Sequence, residues 1–195
     1  TYYHYGDFNF QEDSSLINLI NTISKPSNIL LKITIVEGWS QKQLDLELSK
    51  FFVDYETIPY DDIIADTYFL QKNSNFYSFL EQLKINKIKY FNRYQKNTLL
   101  NNYTEDEVII IGSLLEKEGL DHEDKKKISS VIFNRLKKRM KLQLDATVIF
   151  AITDGKYDLK RNLLISDLKI DHPYNTYVNK GLPPKPISYV GKKTL

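Results

Sequence analysis

The sequence predicts an α+β fold in which a small βα module precedes a mostly helical region and a long irregular loop. Strand and helix periodicities alternate in the first part of the chain, and amphipathic segments with capping residues dominate after residue 104. Four prolines and one glycine fall between residues 171 and 187, a density that regular structure does not tolerate. The 195 residues, 42% of them hydrophobic, can bury a substantial core.

Two strand-then-helix patterns make up the N-terminal module. Residues 5–10 predict a short strand, and Asp13 then caps a helix whose apolar stripe is Leu16, Ile17, Ile20 and Ile23. Residues 29–36 (ILLKITIV) predict the second strand, which ends in a turn at Glu37 and Gly38. Ser40 and Gln43 form an S-x-x-Q capping box for the following helix, whose apolar positions are Leu44, Leu48 and Phe51.

The second part of the chain predicts four helices. The first spans about residues 75–88 and leads into a polar connector at 93–102. Thr104 and Glu107 form a capping box for the second helix, which ends at Gly119. Asp121 caps the third helix, whose buried stripe is Ile128, Val131, Ile132 and Leu136. The chain turns irregular after Met140, and a short helix follows at 145–152.

Composition excludes several classes of function. The 27 basic and 25 acidic residues give a net charge of +2, which is too small to attract nucleic acid or anionic lipid strongly. The chain has no cysteine, so it has neither disulfides nor a thiol nucleophile. The three histidines, His4, His122 and His172, lack metal-ligand spacing, and no phosphate-loop, dinucleotide or nucleophile-elbow motif is present. We therefore expect no metal.

Glu118 lies on the apolar face of the helix that begins after Thr104. The stripe of that helix contains Val108, Ile111, Leu114 and Leu115. Because each residue advances about 100° around the axis, Glu118 falls about 30° from the centre of the stripe and Glu116 about 130° from it. This helical wheel predicts that the Glu118 side chain points towards the core and that the Glu116 side chain is exposed to solvent without a catalytic role.

An inward glutamate has two interpretations. Burial raises the pKa of an unpaired carboxyl group, as a general acid near neutral pH requires. The alternative is a buried ion pair, for which Arg135 on the next helix is the candidate. The surrounding residues leave both open.

Five motifs in the second part occur in a specific order. They are SLLEKE at 113–118, VIFNRL at 131–136, MKLQLDATVI at 140–149, PYNTY at 173–177 and GLPP at 181–184. Their order and spacing resemble the MltG (YceG-like) family of bacterial endolytic murein transglycosylases, and weaker similarity at 36–38 and 66–68 extends the resemblance upstream. Ala146 stands where the family usually has proline.

The resemblance implies a lyase reaction without a cofactor. Glu118 would protonate the glycosidic oxygen between N-acetylmuramic acid (MurNAc) and N-acetylglucosamine (GlcNAc) within a glycan strand. It would then assist the muramyl C6 hydroxyl in closing on C1 to give a 1,6-anhydroMurNAc end. The residues implied to line or support the glycan groove are Asn134, Arg135, Gln143, Asp145, Thr147, Tyr174, Asn175 and Tyr177. Asn175 and Tyr177, on the irregular loop, are the strongest candidates for contact, whereas Asp145 could cap a helix and Thr147 could pack.

The resemblance also implies a domain order and a location. Residues 1–57 would form a LysM-like subdomain, and residues 58–195 a catalytic domain that is incomplete at its C-terminal end. Family members are anchored to the bacterial inner membrane by one N-terminal helix, absent from this chain, with the catalytic part in the periplasm. Peptidoglycan strands are the expected partner, with synthases of the elongation or division machinery as further candidates. Two alternatives stay open: a hydrolytic muramidase, with Asp145 or Asp171 as second carboxylate, and a non-catalytic peptidoglycan-binding module.

Overall fold

A computed structural model describes residues 7–195 except 11, 13, 26, 28, 73 and 95–101. Within these residues the chain forms a two-stranded sheet and six α-helices, so the predicted α+β class is confirmed. The elements are α1 (Leu16–Ile23), β1 (Leu30–Thr34), α2 (Gln41–Leu48), β2 (Thr67–Gln71), α3 (Phe76–Tyr94), α4 (Glu105–Glu118), α5 (His122–Lys137) and α6 (Asp145–Thr153). None of the helices in the described part of the chain is long and apolar enough to cross a membrane.

The N-terminal part differs from its prediction in two ways. Residues 7–10 form no strand, while residues 5 and 6 and the predicted cap Asp13 lie outside the described residues. The helix itself is present, and the Ser15 hydroxyl caps it by accepting a hydrogen bond from the Asn18 N–H. Its apolar stripe is not packed, however, since Leu16 and Ile17 are 73% and 71% exposed. The predicted pattern therefore identified the helix but not its environment.

The sheet joins two distant segments. β1 runs antiparallel to β2, with Leu30 opposite Gln71 and Thr34 opposite Thr67. The sequence predicted β1 but not β2. Because β1 precedes residue 57 and β2 follows it, the two predicted domains share one sheet, and the division at that residue stays a prediction.

The turn and helix after β1 follow the sequence closely. Gly38 has a φ of +76°, which is accessible to glycine at low cost. Ser40 and Gln43 form both hydrogen bonds of the capping box. Leu44 and Leu48 are buried in the main core, which also includes residues of α4. The α2 helix is thereby fixed against the second part of the chain.

α3 is longer than predicted, because it continues past Ile88 to Tyr94. Its buried positions Phe76, Phe79 and Leu83 belong to the main core. Residues 95–101 of the predicted polar connector lie outside the described residues.

α4 is the central helix of the fold. Its residues from Val108 to Leu115 are all buried, and it contacts both α5 and α6. The C-terminal segment 187–195 covers a further side: the Ile187 N–H donates to the Ser113 hydroxyl at 3.1 Å. A Cβ atom at Gly112 would lie 2.6 Å from Val190 Cγ1, so only glycine permits this approach. α4 is thus covered on more sides than the single apolar stripe that the helical wheel predicts.

The remaining elements form the other side of the molecule. Asp121 caps α5 as predicted, and Ile132 is buried, but Val131 of its predicted stripe is exposed. Residues 171–187 run through successive turns without a helix or strand. This segment passes the start of α6, where Thr176 Oγ1 accepts a hydrogen bond from the Leu144 N–H at 3.0 Å.

Candidate active site

Glu118 is the last residue of α4, and its carboxylate lies against the start of α6. Its Oε1 atom accepts a hydrogen bond from the Ala146 N–H at 3.0 Å. The N-cap residue of α6 is Leu144, whose side chain has no oxygen to accept such a bond. Glu118 therefore satisfies one of the N–H groups that the first turn of a helix leaves free.

The surroundings of Glu118 favour its protonated form. Burial raises the pKa of the carboxyl group, the Ala146 N–H opposes that shift, and the negative charge of Asp145 adds to it. The expected ion pair with Arg135 does not occur among the described residues. Arg135 instead donates from Nη1 to the Leu142 carbonyl oxygen. Of the two interpretations of an inward glutamate, the structure fits the unpaired acid.

Asp145 and Tyr177 form the second part of the same site. The Tyr177 hydroxyl donates to Asp145 Oδ1 at 2.6 Å. This bond, with burial and the negative charges of Asp145 and Glu118, raises the pKa of Tyr177 to about 12, while Arg135 opposes the shift. Asp145 is the first residue of α6 and not its cap. The structure thus brings together four of the predicted residues from α4, α5, α6 and the loop.

Gln143 and Thr147 fix the loop against α6. Gln143 has a φ of +50°, and its N–H donates to the Thr176 carbonyl at 3.1 Å, while its side chain is exposed. Thr147 is fully buried; its Oγ1 donates to the Leu144 carbonyl at 2.6 Å and lies 2.9 Å from Thr176 Oγ1. Thr147 is therefore packed between α6 and the loop, and its assignment to the glycan groove stays a prediction.

Asn175 does not meet the expectation of direct contact with a glycan. Its side chain is fully buried, and Nδ2 donates to the carbonyl oxygens of Leu168 at 3.1 Å and Ile170 at 2.8 Å. Its Oδ1 accepts from the Tyr177 N–H at 2.9 Å. Because its polar atoms are committed to the loop, Asn175 can only support the residues that face outward.

Tyr174 and Asn134 are not joined to Glu118 by any contact described in the structure. The Tyr174 ring centroid lies 4.7 Å from that of Phe150, towards the far end of α6. Its charged neighbours there are Asp154, Lys185 and Asp61. Asn134 is exposed on α5, immediately before Arg135. Tyr174 therefore borders a different surface from the acid, and Asn134 precedes Arg135, whose charge acts on Tyr177.

The prediction that the Glu116 side chain is exposed to solvent is wrong. Its side chain is 3% exposed and forms an ion pair with Lys125 of α5. Its Oε1 accepts from the Gly191 N–H at 3.1 Å, and Lys125 Nζ also donates to Thr194 Oγ1 at 3.1 Å. The physical reason is the C-terminal segment, which encloses the side of α4 that the wheel assigned to solvent. The short connection between α4 and α5 was the available signal, since it brings Glu116 near Lys125.

The histidines give no sign of a metal centre. His122 begins α5, and His172 Nδ1 accepts from the Tyr174 N–H at 3.3 Å. His4 lies outside the described residues. Across the rest, no group of three or more histidine, aspartate or glutamate side chains could hold a metal ion.

Sequence comparison places these residues among known proteins. The chain is 43% identical over 102 residues to the endolytic murein transglycosylase of Bacillus subtilis (strain 168), which covers 52% of this chain and 27% of that protein. It is 34% identical over 126 residues to the endolytic murein transglycosylase of Streptococcus pneumoniae serotype 2 (strain D39), covering 62% of this chain and 22% of that protein. The chain thus spans about a quarter of the length of these relatives.

A solved structure and a family model also match this chain. A crystal structure of a yceG-like protein from Listeria monocytogenes matches with a TM-score of 0.68 and 23% identity, over 84% of this chain and 64% of that one. At this identity the match shows the fold alone. The family model described as YceG-like matches residues 1–195, the whole chain. The chain therefore belongs to the YceG-like family.

Proposed function

We propose that this chain contains the catalytic centre of an endolytic peptidoglycan lytic transglycosylase, with Glu118 as general acid and base. The names of the two relatives support this activity. The proposal rests on the environment of the Glu118 carboxyl group. Burial favours its protonated form, and no cation among the described residues neutralises it. A proton donor for a glycosidic oxygen needs this state near neutral pH.

The proposed reaction begins when protonated Glu118 donates its proton to the oxygen between MurNAc and GlcNAc. The bond from MurNAc C1 to that oxygen breaks, and GlcNAc leaves with a new hydroxyl group. The carboxylate then takes the proton of the muramyl C6 hydroxyl as its oxygen bonds to C1. A 1,6-anhydro ring forms without water, and Glu118 regains its proton. A tethered nucleophile makes a second catalytic carboxylate unnecessary.

The other residues of the site have proposed supporting roles. The residues proposed to line the glycan groove with Glu118 are Asn134, Arg135, Gln143, Asp145 and Tyr177. Asp145 and Tyr177 interact electrostatically with Glu118, and Arg135 interacts with Tyr177. Asn134 and Gln143 are exposed and lie close in sequence to Arg135 and Asp145. Thr147 and Asn175 would hold the loop in place. Tyr174, which packs against Phe150, would contact a more distant part of the strand.

The wider context is proposed from the family resemblance. It comprises a LysM-like subdomain at 1–57, a catalytic domain at 58–195 and anchorage of the intact protein to the bacterial inner membrane. Peptidoglycan strands would be the substrate, and peptidoglycan synthases are candidate partners.

A hydrolytic muramidase is the second candidate, and one observation favours it. Asp145 shares the site with Glu118 and influences its pKa, so a second carboxylate is available. In a hydrolase such a group activates water or attacks the sugar. Asp171, the other candidate, is exposed on the loop, and the described residues form no ion pair or side-chain hydrogen bond with it.

Product analysis separates these functions. Purified peptidoglycan is digested with the protein, and the new ends are identified by mass spectrometry. The transglycosylase yields anhydro ends about 18 Da lighter than the hydrolytic products, because one water is not added. Reducing ends would establish the muramidase instead. Binding of peptidoglycan without release of fragments, in this chain and in a longer version, would identify a non-catalytic module.

A further inference from the structure

A cavity of about 340 Å³ lies between α2, the end of α4 and α6, and its lining includes residues that neighbour Glu118 but not Glu118 itself. Its walls come from α2, the end of α4, α6 and the segment after α6, with Ile149, Phe150 and Tyr157 among the apolar residues that line it. Two of its lining residues touch the candidate acid directly: Lys117 precedes Glu118 in the chain, and Ala146 donates its N–H to it. Residues that line the cavity are therefore direct neighbours of the proposed acid.

The charged residues of this cavity are mostly basic. Lys42, Lys117 and Lys156 line it, against a single acidic lining residue, Asp158. Lys156 is paired with Asp154 at 2.7 Å. Neither Lys42 nor Lys117 has an ion-pair partner within the described ranges. Two ammonium groups, from α2 and from α4, are therefore available to a ligand.

Lys117 has an unusual environment for a surface lysine. Its side chain opens to the cavity, yet the surrounding protein atoms exclude enough solvent to lower its pKa, and Asp158 only partly opposes this. A partly desolvated ammonium group gains more from an incoming anion than a fully hydrated one does. The cavity thus combines positive charge with apolar walls.

We propose that this cavity binds the carboxylate-bearing peptide stem carried by the muramyl residues of the glycan. The inference rests on the proposed function, because it takes peptidoglycan as the substrate. A peptide substituent has the two properties that the cavity matches: anionic carboxylates for Lys42 and Lys117, and aliphatic side chains for Ile149 and Phe150. The position next to Glu118 would let the stem fix the register of the strand over the acid.

Binding to two matched glycans tests the proposal. The protein with Glu118→Gln, which should bind without cleaving, is titrated with uncross-linked strands that carry peptide stems and with the same strands after an amidase has removed them. We expect tighter binding of the peptide-bearing strands. Adding Lys117→Met or Lys42→Met should each reduce that preference on the order of threefold, as expected for a partly exposed charge pair. High salt should have the same effect.

Lys89→Met provides the matched control, because Lys89 is an exposed lysine on α3, outside the cavity. It removes the same charge and should leave the preference unchanged. Lys42→Met separates the cavity from the acid, since Lys42 has no described contact with Glu118. Equal binding of both strands, or a preference that neither cavity variant reduces, would overturn the proposal, and so would binding of neither strand.

The failure of the proposed function would look different. If the unmutated protein released reducing ends or no fragments, the transglycosylase assignment would fall whatever the binding preference. A different result would retain the function and remove the stem site. In that case strands with and without stems would both give anhydro products, and Lys117→Met and Lys42→Met would leave the ratio of the two cleavage rates unchanged.

Discussion

Glu116 and Glu118 stand at the same end of α4, yet their carboxylates have opposite surroundings. Glu116 is enclosed by Lys125 of α5 and the N–H of Gly191, so a cation and a hydrogen-bond donor stabilise its negative charge. Glu118 has one N–H donor, from Ala146, while Asp145 adds a second negative charge nearby. The first arrangement suits a structural ion pair, and the second suits a group that holds and releases a proton.

This contrast shows that the position of a carboxylate on a helix does not determine its role. The role follows from what other segments bring to it: α5 and the C-terminal segment to Glu116, and the start of α6 to Glu118. Each neighbouring segment can be altered separately by mutation, so the difference between the two glutamates can be tested.

The largest effect is expected for Glu118→Gln. An amide cannot deliver a proton, so turnover of peptidoglycan should fall on the order of 100- to 10,000-fold. The glutamine oxygen can still accept the Ala146 N–H, so the melting temperature should remain close to that of the unmutated protein. Muropeptide release and thermal unfolding are measured on both proteins. Glu81→Gln, at an exposed position of α3, is the control, and near-normal turnover by a folded Glu118→Gln protein would refute the assignment.

Glu116→Gln should affect stability in place of chemistry. It leaves the Lys125 ammonium partly buried without its counter-charge, and we expect the free energy of unfolding to fall by about 3 kcal/mol. Lys125→Met in the same chain should restore part of the loss, because it removes the stranded charge. Denaturant unfolding gives the free energy of unfolding of the unmutated protein, the Glu116→Gln variant and the double variant. Unchanged stability in the single variant would show that the ion pair has no structural role.

Ala146→Pro should change the pH dependence of turnover. Proline is tolerated in the first turn of a helix but has no N–H, so Glu118 would lose the bond that opposes the raised pKa. The acid is active when protonated, and its rate falls as pH rises through its pKa. The alkaline limb of the rate profile should therefore move to higher pH in Ala146→Pro and stay in place in Ala146→Ser, which keeps the N–H. A shift to lower pH would contradict the proposed effect of this bond.

The smallest effect is expected for Tyr177→Phe, which removes the hydroxyl bonded to Asp145. The loss of one such hydrogen bond is worth about 0.5 to 1.5 kcal/mol, so turnover should fall about two- to tenfold. Initial rates on peptidoglycan measure it, with Tyr77→Phe on α3 as the control. A loss as large as that of Glu118→Gln would mean that Tyr177 takes part in proton transfer itself.

Local signals in the sequence predicted much of the fold. The capping boxes at Ser40 and Thr104 involve residues three positions apart, and both form as expected. The pairing of β2 with β1 was missed, because it depends on a segment more than thirty residues away. The exposure of α1 was also missed, since periodicity describes a helix face without describing what covers it.

The predictions for the candidate site likewise succeeded where they depended on local sequence and failed where they depended on distant segments. Helix geometry selected Glu118 because its apolar neighbours belong to its own helix. Glu116 was misjudged because the segment that covers it lies at the other end of the sequence. Asn175 was expected to contact ligand because it is polar and lies on a loop, but the loop uses its side chain internally. Polarity alone does not distinguish a residue that builds a loop from one that the loop presents.

Titration of the Glu118 carboxyl group directly tests whether this residue is the proton donor. The carboxyl carbons of uniformly labelled protein are followed by NMR as a function of pH, and the Glu118 resonance is assigned by its loss in Glu118→Gln. We expect a midpoint above the ordinary glutamate value of 4.5, because burial without a cation favours the neutral form. A midpoint at or below 4.5 would contradict it, since Glu118 would then be an ionised cap of α6 and not a proton donor.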